Sequence, residues 1–518
     1  MISDITAAVV GFAGFYIFLW ALLWLTQDAR EPPMVETAIP FLSPIIVMLM
    51  KWTTVHEYLR DKYGYPIHTL RLPGTRAYVV NDTSLIPAIH KQLRTLTAAP
   101  FVVKAFSNLM GVSKEAFEIM GRDPIEDHGF VHRLTTESKN SLAPGPNLDQ
   151  LNTEVVDILN NSFSAICAAQ EPKTANLFEW ASHEAMMATT GAIYGPLNPF
   201  NDAKVRTVYY DLQAGLLRLL MGFMKPIFAK KPLEALETIT EAFEKYYARG
   251  GLETGSSAFA RGRYSCPREH GVSEKDVAKM EAGGIFALIA NTMPAAFWTL
   301  YHIVSDPVVL ADCRRELHGA VSEKDGQAHL DLTYVKNSCP IMVSTMQEAM
   351  RFHSIDLAMR AVVEDHMLDG KYLLKKGATV MIPGKIQHTS SLAWGPNVNE
   401  FYHKRFLKMP GTRTHNPVAF RVFGGGATLC PGRHFVATEI LAFASMMLLR
   451  FDIKAVNGQW STGGYTQTNG GIRLPRQDVQ VELLPRDNKQ WHVAFAGSGK
   501  ATDIAEGVKD SEESMTEK

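Results

Sequence analysis

Residues 422–449 read VFGGGATLCPGRHFVATEILAFASMMLL, a glycine-rich turn that runs into Cys430 and then directly into a helix with an apolar face. Unpaired backbone N–H groups at a helix start, together with the positive end of its dipole, lower the pKa of a sulfur placed there, so this layout predicts a reactive thiolate at Cys430. Pro431 suits the opening helical turn, where its missing N–H has no partner to lose. Gly424, Gly425, Gly426 and Gly432 permit the φ values and close backbone approach that a flat group seated over the sulfur requires. Phe423 is placed to stack on such a group or to shield the sulfur. The other cysteines, Cys167, Cys266, Cys313 and Cys339, are scattered. Five in all, with no C-x-x-C pair, they argue against both a disulfide framework and a zinc site, and for reduced thiols on the cytosolic side.

Phe423, Gly426, Cys430 and Gly432 fall on F-x-x-G-x-x-x-C-x-G, and in this the chain resembles the cytochrome P450 superfamily. The resemblance implies haem b (iron protoporphyrin IX), with Cys430 as the axial ligand to its iron. A thiolate ligand pushes electron density onto iron and favours O–O cleavage. Three more motifs agree. Glu348 and Arg351, in STMQEAMRFHS, stand at i, i+3 on one helix face, an arrangement that by itself is usually an exposed ion pair. Arg405-Phe406, 54 residues beyond Arg351, resembles the family's F-x-P-x-R-F stretch, with His403 where proline is usual. By resemblance, Glu348, Arg351 and Arg405 form a buried network that locks the cysteine loop, and breaking one member leaves an uncompensated charge.

The fourth motif lies in KMEAGGIFALIANTMPAAFWTLYHI, where Asn291-Thr292 takes the place of the family's acid/alcohol pair. The resemblance makes Thr292 the hydroxyl that helps deliver protons to dioxygen. In most helices such a threonine simply bonds back to the preceding turn. Asn291 cannot give up a carboxylic proton, so either relayed water replaces the acid or the enzyme does not need both protons. Pro294 is expected to kink the helix and open its ladder.

ANTMPAAFW, GATLCPGR and MRAVVEDHML together resemble the branch that holds sterol hydroxylases of bile-acid type and prostacyclin synthase, and the spelling looks fungal. Thr428 stands where a basic residue often binds a haem propionate, and no W-x-x-x-R is visible in residues 121–139. Arg360 aligns with a position that often faces a propionate; His132 and Arg133 are weaker candidates. The resemblance places the substrate pocket around Met110, residues 216–223, Ala290, residues 354–359 and residues 466–469, a mostly apolar set suited to a lipophilic small molecule. Between Glu400 and Glu439 there is no acid, whereas Lys404, Arg405, Lys408, Arg413, Arg421 and Arg433 are basic. That run suits docking of an acidic reductase.

Farther out, residues 5–27 carry no charge and are long enough at helical rise to cross about 30 Å of hydrocarbon. Trp20 and Trp24 sit where an interfacial belt would, no basic n-region precedes them, and Arg30 follows. These features predict a single-pass anchor with the body in the cytosol, at the endoplasmic reticulum by resemblance. Pro32-Pro33 stiffens the exit. Residues 39–50 form a second apolar segment, too short to span, which either lies on the membrane or packs inside. Residues 68–82 alternate around Pro73-Gly74 as a hairpin, helical periodicity dominates residues 148–394, and strands return in residues 360–384 and 477–485. The expected fold is mainly α with small β-sheets, a cytochrome P450 fold preceded by a transmembrane helix. It divides into an anchor at 1–30, a haem-thiolate catalytic domain at 31–498 and a disordered polar tail at 499–518.

The chain has 518 residues, 46% hydrophobic, with 52 basic against 53 acidic residues, which excludes a disordered chain and any global field for nucleic acid. Three functions fit. The first is a monooxygenase that inserts oxygen from O2 into a terpenoid, sterol, polyketide or alkaloid in secondary metabolism. It would be fed by NADPH through NADPH-cytochrome P450 reductase, with cytochrome b5 as a further donor. The second is a peroxide-rearranging isomerase or dehydratase that needs no reductase, and the third a non-enzymatic haem sensor. Retention of Thr292 favours the first, because rearranging enzymes need no proton relay.

Overall fold

The computed structural model describes residues 2–51, 54–169, 171–221, 225–407, 415–466 and 471–495. The polar tail at 499–518 and the docking candidates Lys408 and Arg413 lie outside the described residues, as do pocket candidates Phe223 and residues 467–469. The described chain is mostly helix with four small sheets, as expected.

At the centre run two helices end to end, Glu274–Ile289 and Thr292–Val304. Thr292–Val304 and the second half of Glu274–Ile289 are apolar on almost every face, and a helix of that kind is stable only in a core. Thr292–Val304 packs on Leu177–Tyr194, Pro340–His353 and Arg433–Arg450. The expected kink takes the form of a full break at Ala290-Asn291, upstream of Pro294. Pro294 has no N–H to offer the Ala290 carbonyl four residues back, and its ring crowds that oxygen, so the ladder opens there.

The main sheet orders its strands Ile67–Leu72, Thr75–Val80, Thr379–Pro383, Leu357–Val362 and Leu96–Thr97. Thr75–Val80 and Thr379–Pro383 run parallel, and the other neighbours are antiparallel. Gly74, at φ 71°, makes the expected hairpin turn, in the left-handed region that glycine adopts without strain. Leu357–Val362 carries Arg360 inward from this sheet, and the preceding helix Pro340–His353 supplies Glu348 and Arg351.

Helix Ile2–Thr26 is exposed along most of its length and is long and apolar enough to cross a membrane. Its exit is bonded to the sheet. Arg71 Nη2 donates to Thr26 Oγ1 at 2.6 Å, and Arg76 Nη1 to the buried Glu31 Oε1 at 2.6 Å. The Tyr78 hydroxyl donates to Glu31 Oε2 at 2.7 Å, and Leu373 N to Arg30 O at 2.9 Å. Hydrogen bonds therefore cross the boundary drawn at residue 30. Of residues 39–50, helix Ser43–Lys51 takes the C-terminal part; Phe41 and Pro44 are buried and Val47 and Met48 pack on the core, while Ile46, Leu49 and Met50 remain exposed.

In the packed interior, Glu439 of Arg433–Arg450 is 1% exposed and, among the described residues, accepts hydrogen bonds only from the Thr189 hydroxyl, at 2.8 and 2.9 Å. Burial without a cation pushes its pKa up to about 8. The folded chain then binds a proton that the unfolded chain releases near pH 4.5, so stability falls as pH rises from there to about 8 and levels off above. Glu439→Gln is expected to flatten this slope and to raise the melting temperature at pH 8 more than at pH 5.5. Melts of both proteins that shift in parallel across pH would refute the assignment.

Candidate active site

Tight backbone bonds shape the cysteine loop. Gly424 N donates to Arg421 O at 2.8 Å, Leu429 N to Gly426 O at 3.1 Å, and Cys430 N to Phe423 O at 2.9 Å. Gly424 and Gly426 hold φ values of 74° and 57°, and a Cβ on Gly424 would lie 2.9 Å from Thr428 O. A Cβ on Gly425 would run into the Arg421 guanidinium, and one on Gly426 would sit 3.0 Å from the His90 ring. These glycines therefore make room for protein side chains of the loop's own surroundings. Gly432 caps the following helix, and a Cβ there would lie 4.0 Å from the Cys430 sulfur.

The helix begins at Arg433, so Pro431 stands in the turn before it and not in the first helical turn. The half-exposed Cys430 differs from expectation in its titration as well. Burial pushes the thiol pKa up, against the pull of the nearby Gly432 backbone N–H, the Arg433 charge and the Arg433 backbone N–H. The helix start tempers this desolvation without reversing it.

Glu348, Arg351 and Arg405 meet as expected. Arg351 grips Glu348 through Nε at 2.7 Å and Nη2 at 2.8 Å, and Arg405 Nε reaches Glu348 Oε1 at 2.9 Å. The three side chains are at most 5% exposed. Arg351 also donates to His388 O at 2.5 Å and Val398 O at 3.1 Å, and Arg405 to the carbonyls of Trp394, Asn397 and Glu400. His388 Nε2 in turn accepts from Arg421 N at 2.9 Å, which links the network to the cysteine loop. In place of the usual proline, His403 bonds Asp312 at 3.0 Å, and Lys404 and Arg315 grip the same carboxylate.

Beside the loop lies a second buried cluster. Arg360, 3% exposed, donates to Thr428 Oγ1 at 2.6 Å and Gly425 O at 3.3 Å. Arg421, 5% exposed, reaches only His90 Nε2, at 3.4 Å, with its guanidinium. Among the described residues neither arginine has an acid within ion-pair distance. Burial drops both guanidinium pKa values to about 10. The acid that most influences Arg421 is Asp356, itself raised by burial to about 6. Two buried cations whose nearest influential acid lies beyond ion-pair distance are unfavourable unless a further anion joins them. A porphyrin edge bearing two carboxylates meets that requirement, and the nearby thiol suits its iron, so the residues present fit haem.

Thr292 is 2% exposed and donates to Leu288 O at 3.1 Å, which leaves its oxygen lone pairs able to accept a hydrogen bond. Asn291 is exposed and accepts from Ile472 N at 3.0 Å. Of the pocket positions, Met110 packs under Gly283, Leu216 and Ala290 are buried, and Ser354 pairs with Ile472.

Some expected sites are not where the sequence reading put them. His132 and Arg133 are exposed on helix Phe130–Leu142. The basic run is not one surface: Arg421 is internal, Arg405 is consumed by Glu348, Lys404 is neutralised by Asp312 from another helix, and Arg433 bonds Cys430 O. His90 and the inward Arg421 went unrecognised. The sign for Arg421 was its apolar setting in AFRVF; His90 carried none, being 331 residues away in the chain.

The pattern described as Cytochrome P450 matches residues 260–481. A "Cytochrome P450 monooxygenase nodJ" of Hypoxylon pulicicidum is 30% identical over 490 residues, 91% of this chain and 93% of that protein. A "Cytochrome P450 monooxygenase" of Gibberella zeae is 26% identical over 84% of each chain. A "Cholesterol 7-alpha-monooxygenase" of Cricetulus griseus is 28% identical over 229 residues, 40% of this chain and 45% of that protein. With the thiol, the arginine pair and the Glu348 network already in place around one loop, these likenesses complete the assignment: the chain belongs to the cytochrome P450 family and is an oxidoreductase.

Proposed function

We propose that this protein is a membrane-anchored haem-thiolate monooxygenase that inserts one oxygen atom of O2 into a terpenoid, sterol, polyketide or alkaloid, in secondary metabolism. The reading is supported above all by the Cys430 sulfur at the start of helix Arg433–Arg450, beside Arg360 and Arg421, which have no acid within ion-pair distance among the described residues. The likeness to fungal monooxygenases and to a cholesterol hydroxylase supports a lipophilic substrate. Haem, when bound, supplies the activation of dioxygen, assisted by electron donation from a thiolate ligand.

The chain's own residues set the conditions for that chemistry. Cys430 presents the sulfur, and the N–H groups of Gly432 and Arg433 favour its anionic form. Arg360 and Arg421 hold the carboxylates, with Phe423, Gly426 and Gly432 shaping the surface around the sulfur. Glu348, Arg351 and Arg405 keep the loop in register through His388. Thr292 holds a hydrogen bond at Oγ1 for a proton passed from water, and buried Ile289 and Met293 limit other solvent. Electrons come from NADPH through a reductase, with cytochrome b5 as a second donor, at the cytosolic face of the endoplasmic reticulum.

Reduction under carbon monoxide is expected to give a thiolate-type Soret band that Cys430→Ser abolishes. Product formation should require NADPH, reductase and O2 together. A wild-type protein without that band would overturn the reading, and turnover of a hydroperoxide without reductase would favour a rearranging enzyme of the same fold.

A further inference from the structure

Strands Trp491–Ala494, Gln327–Asp331 and Val321–Lys324 form a three-stranded sheet in which the first pair is parallel and the second antiparallel. Successive side chains on a strand take opposite faces. Trp491, Ala328 and Leu330 are 7%, 2% and 0% exposed and turn toward the core, which sends His492 and His329 to the outer face. The register sets these two histidines side by side on adjacent strands, although they lie far apart in the chain. Their ring centroids are 5.4 Å apart, with the planes inclined at 51°. Among the described residues neither imidazole has a hydrogen-bond or ion-pair partner. Several buried histidines are committed, by contrast: His388 accepts from Arg421 N, His403 bonds Asp312, and His302 meets His353 at 2.8 Å.

The separation of the rings is itself informative. A metal–nitrogen bond of about 2.0–2.1 Å, added to about 1.1 Å from nitrogen to ring centre, puts a shared ion about 3.2 Å from each centroid. Two such rings stand about 5.2 Å apart at a tetrahedral angle, and about 4.5 Å apart at the right angle between neighbouring square-planar ligands. The 5.4 Å spacing matches the tetrahedral case, which is the geometry of zinc and not of square-planar copper or nickel.

We propose that His329 and His492 chelate Zn2+, and that the ion fastens strand Trp491–Ala494 to the body of the protein. The site is independent of the monooxygenase reading, since none of the three strands carries a residue of the cysteine loop, the Glu348 network or the Arg360–Arg421 cluster. Each imidazole gives one neutral ring nitrogen. Among the described residues no third His, Cys, Asp or Glu completes a group with them, so water takes the remaining positions and the ion exchanges with the medium. Trp491–Ala494 is a four-residue strand at the edge of its sheet, held by Gln327–Asp331 on one side and by Asn160 Nδ2 donating to Trp491 O at 3.2 Å. An ion shared by two strands opposes any motion that separates them.

The test is hydrogen exchange of the full-length, haem-loaded protein over a titration of ZnCl2. Detachment of the strand releases the ion, so at ten times the zinc concentration that halves the rate, the amides of Trp491–Ala494 should exchange roughly tenfold more slowly than without zinc. His492→Gln and His329→Gln should each remove the slowing, and the exposed His492 gives a variant that leaves the core untouched. MgCl2, whose ion prefers oxygen ligands, should have no effect on the wild type. Exchange of Trp491–Ala494 that ignores zinc in the wild type, slowing that persists undiminished in His492→Gln, or equal slowing by MgCl2 overturns the proposal and leaves the two rings as a packing pair.

Discussion

Glu348→Ala should yield a chain that no longer holds a native cysteine loop. Its removal strands Arg351 and Arg405, which are 1% and 5% exposed on their side chains, without the only carboxylate that bridges them. Breaking one member of a buried ion set costs about 3–5 kcal/mol, against a total folding stability of about 5–15 kcal/mol for a typical domain. The effect should travel along a named route, because Arg351 orients His388 through its carbonyl and His388 holds the Arg421 backbone at the mouth of the loop. The expected readouts are loss of bound haem in a pyridine haemochromogen assay, a broad and lowered melt, and new proteolytic cuts near the loop. Glu348→Gln, which keeps the shape and two acceptor lone pairs, should lose less. Removing an exposed pair such as Lys371–Asp369 should change stability by less than about 1 kcal/mol. A Glu348→Ala protein that melts like wild type and keeps its haem would show that the network is not what fastens the loop.

Arg421→Met should separate two properties that mutations usually lower together. The guanidinium is buried and, among the described residues, has no acid within ion-pair distance and meets only the His90 ring. An apolar side chain of similar length relieves that burden, so the haem-free chain should unfold at the same or a higher temperature, by analogy with buried ionic groups whose apolar replacement stabilises by about 1–4 kcal/mol. The haem-bound protein should lose its cofactor roughly 10–100-fold faster to an apomyoglobin acceptor, the equivalent of about 1.5–3 kcal/mol for one charge-assisted hydrogen bond. Arg421→Lys should fall between. If the haem-free chain is instead destabilised while haem loss is unchanged, Arg421 serves Asp356 and the fold, and the carboxylate role fails.

Much of this architecture could be read from local pattern. The apolar first helix and the hairpin at Gly74 rest on short-range pattern, whereas the roles of the Cys430 loop and of the Glu348–Arg351–Arg405 set were legible through resemblance to a known family's motifs. What could not be read depended on distant partners. Arg421 looked like a member of a basic surface because charge is visible in a sequence and burial is not. Lys404 looked unopposed because Asp312 approaches from a helix about ninety residues upstream. The place of the helix break follows from Pro294 acting four residues back, which a reading centred on the proline itself misplaced. Thr428 seemed a lost propionate ligand, whereas its hydroxyl receives the Arg360 guanidinium and fixes it toward Gly425.

The joint between the first helix and the sheet has a mechanical side. Thr26 and Glu31 are gripped by Arg71, Arg76 and Tyr78 from two adjacent strands, so the rod is bolted to the globule at two points and carries torque as well as tension. Were the helix seated in a bilayer, its tilt would set the yaw and pitch of the folded body. A thicker or thinner lipid layer would then turn that body, where a loosely tethered one would merely bob beside it.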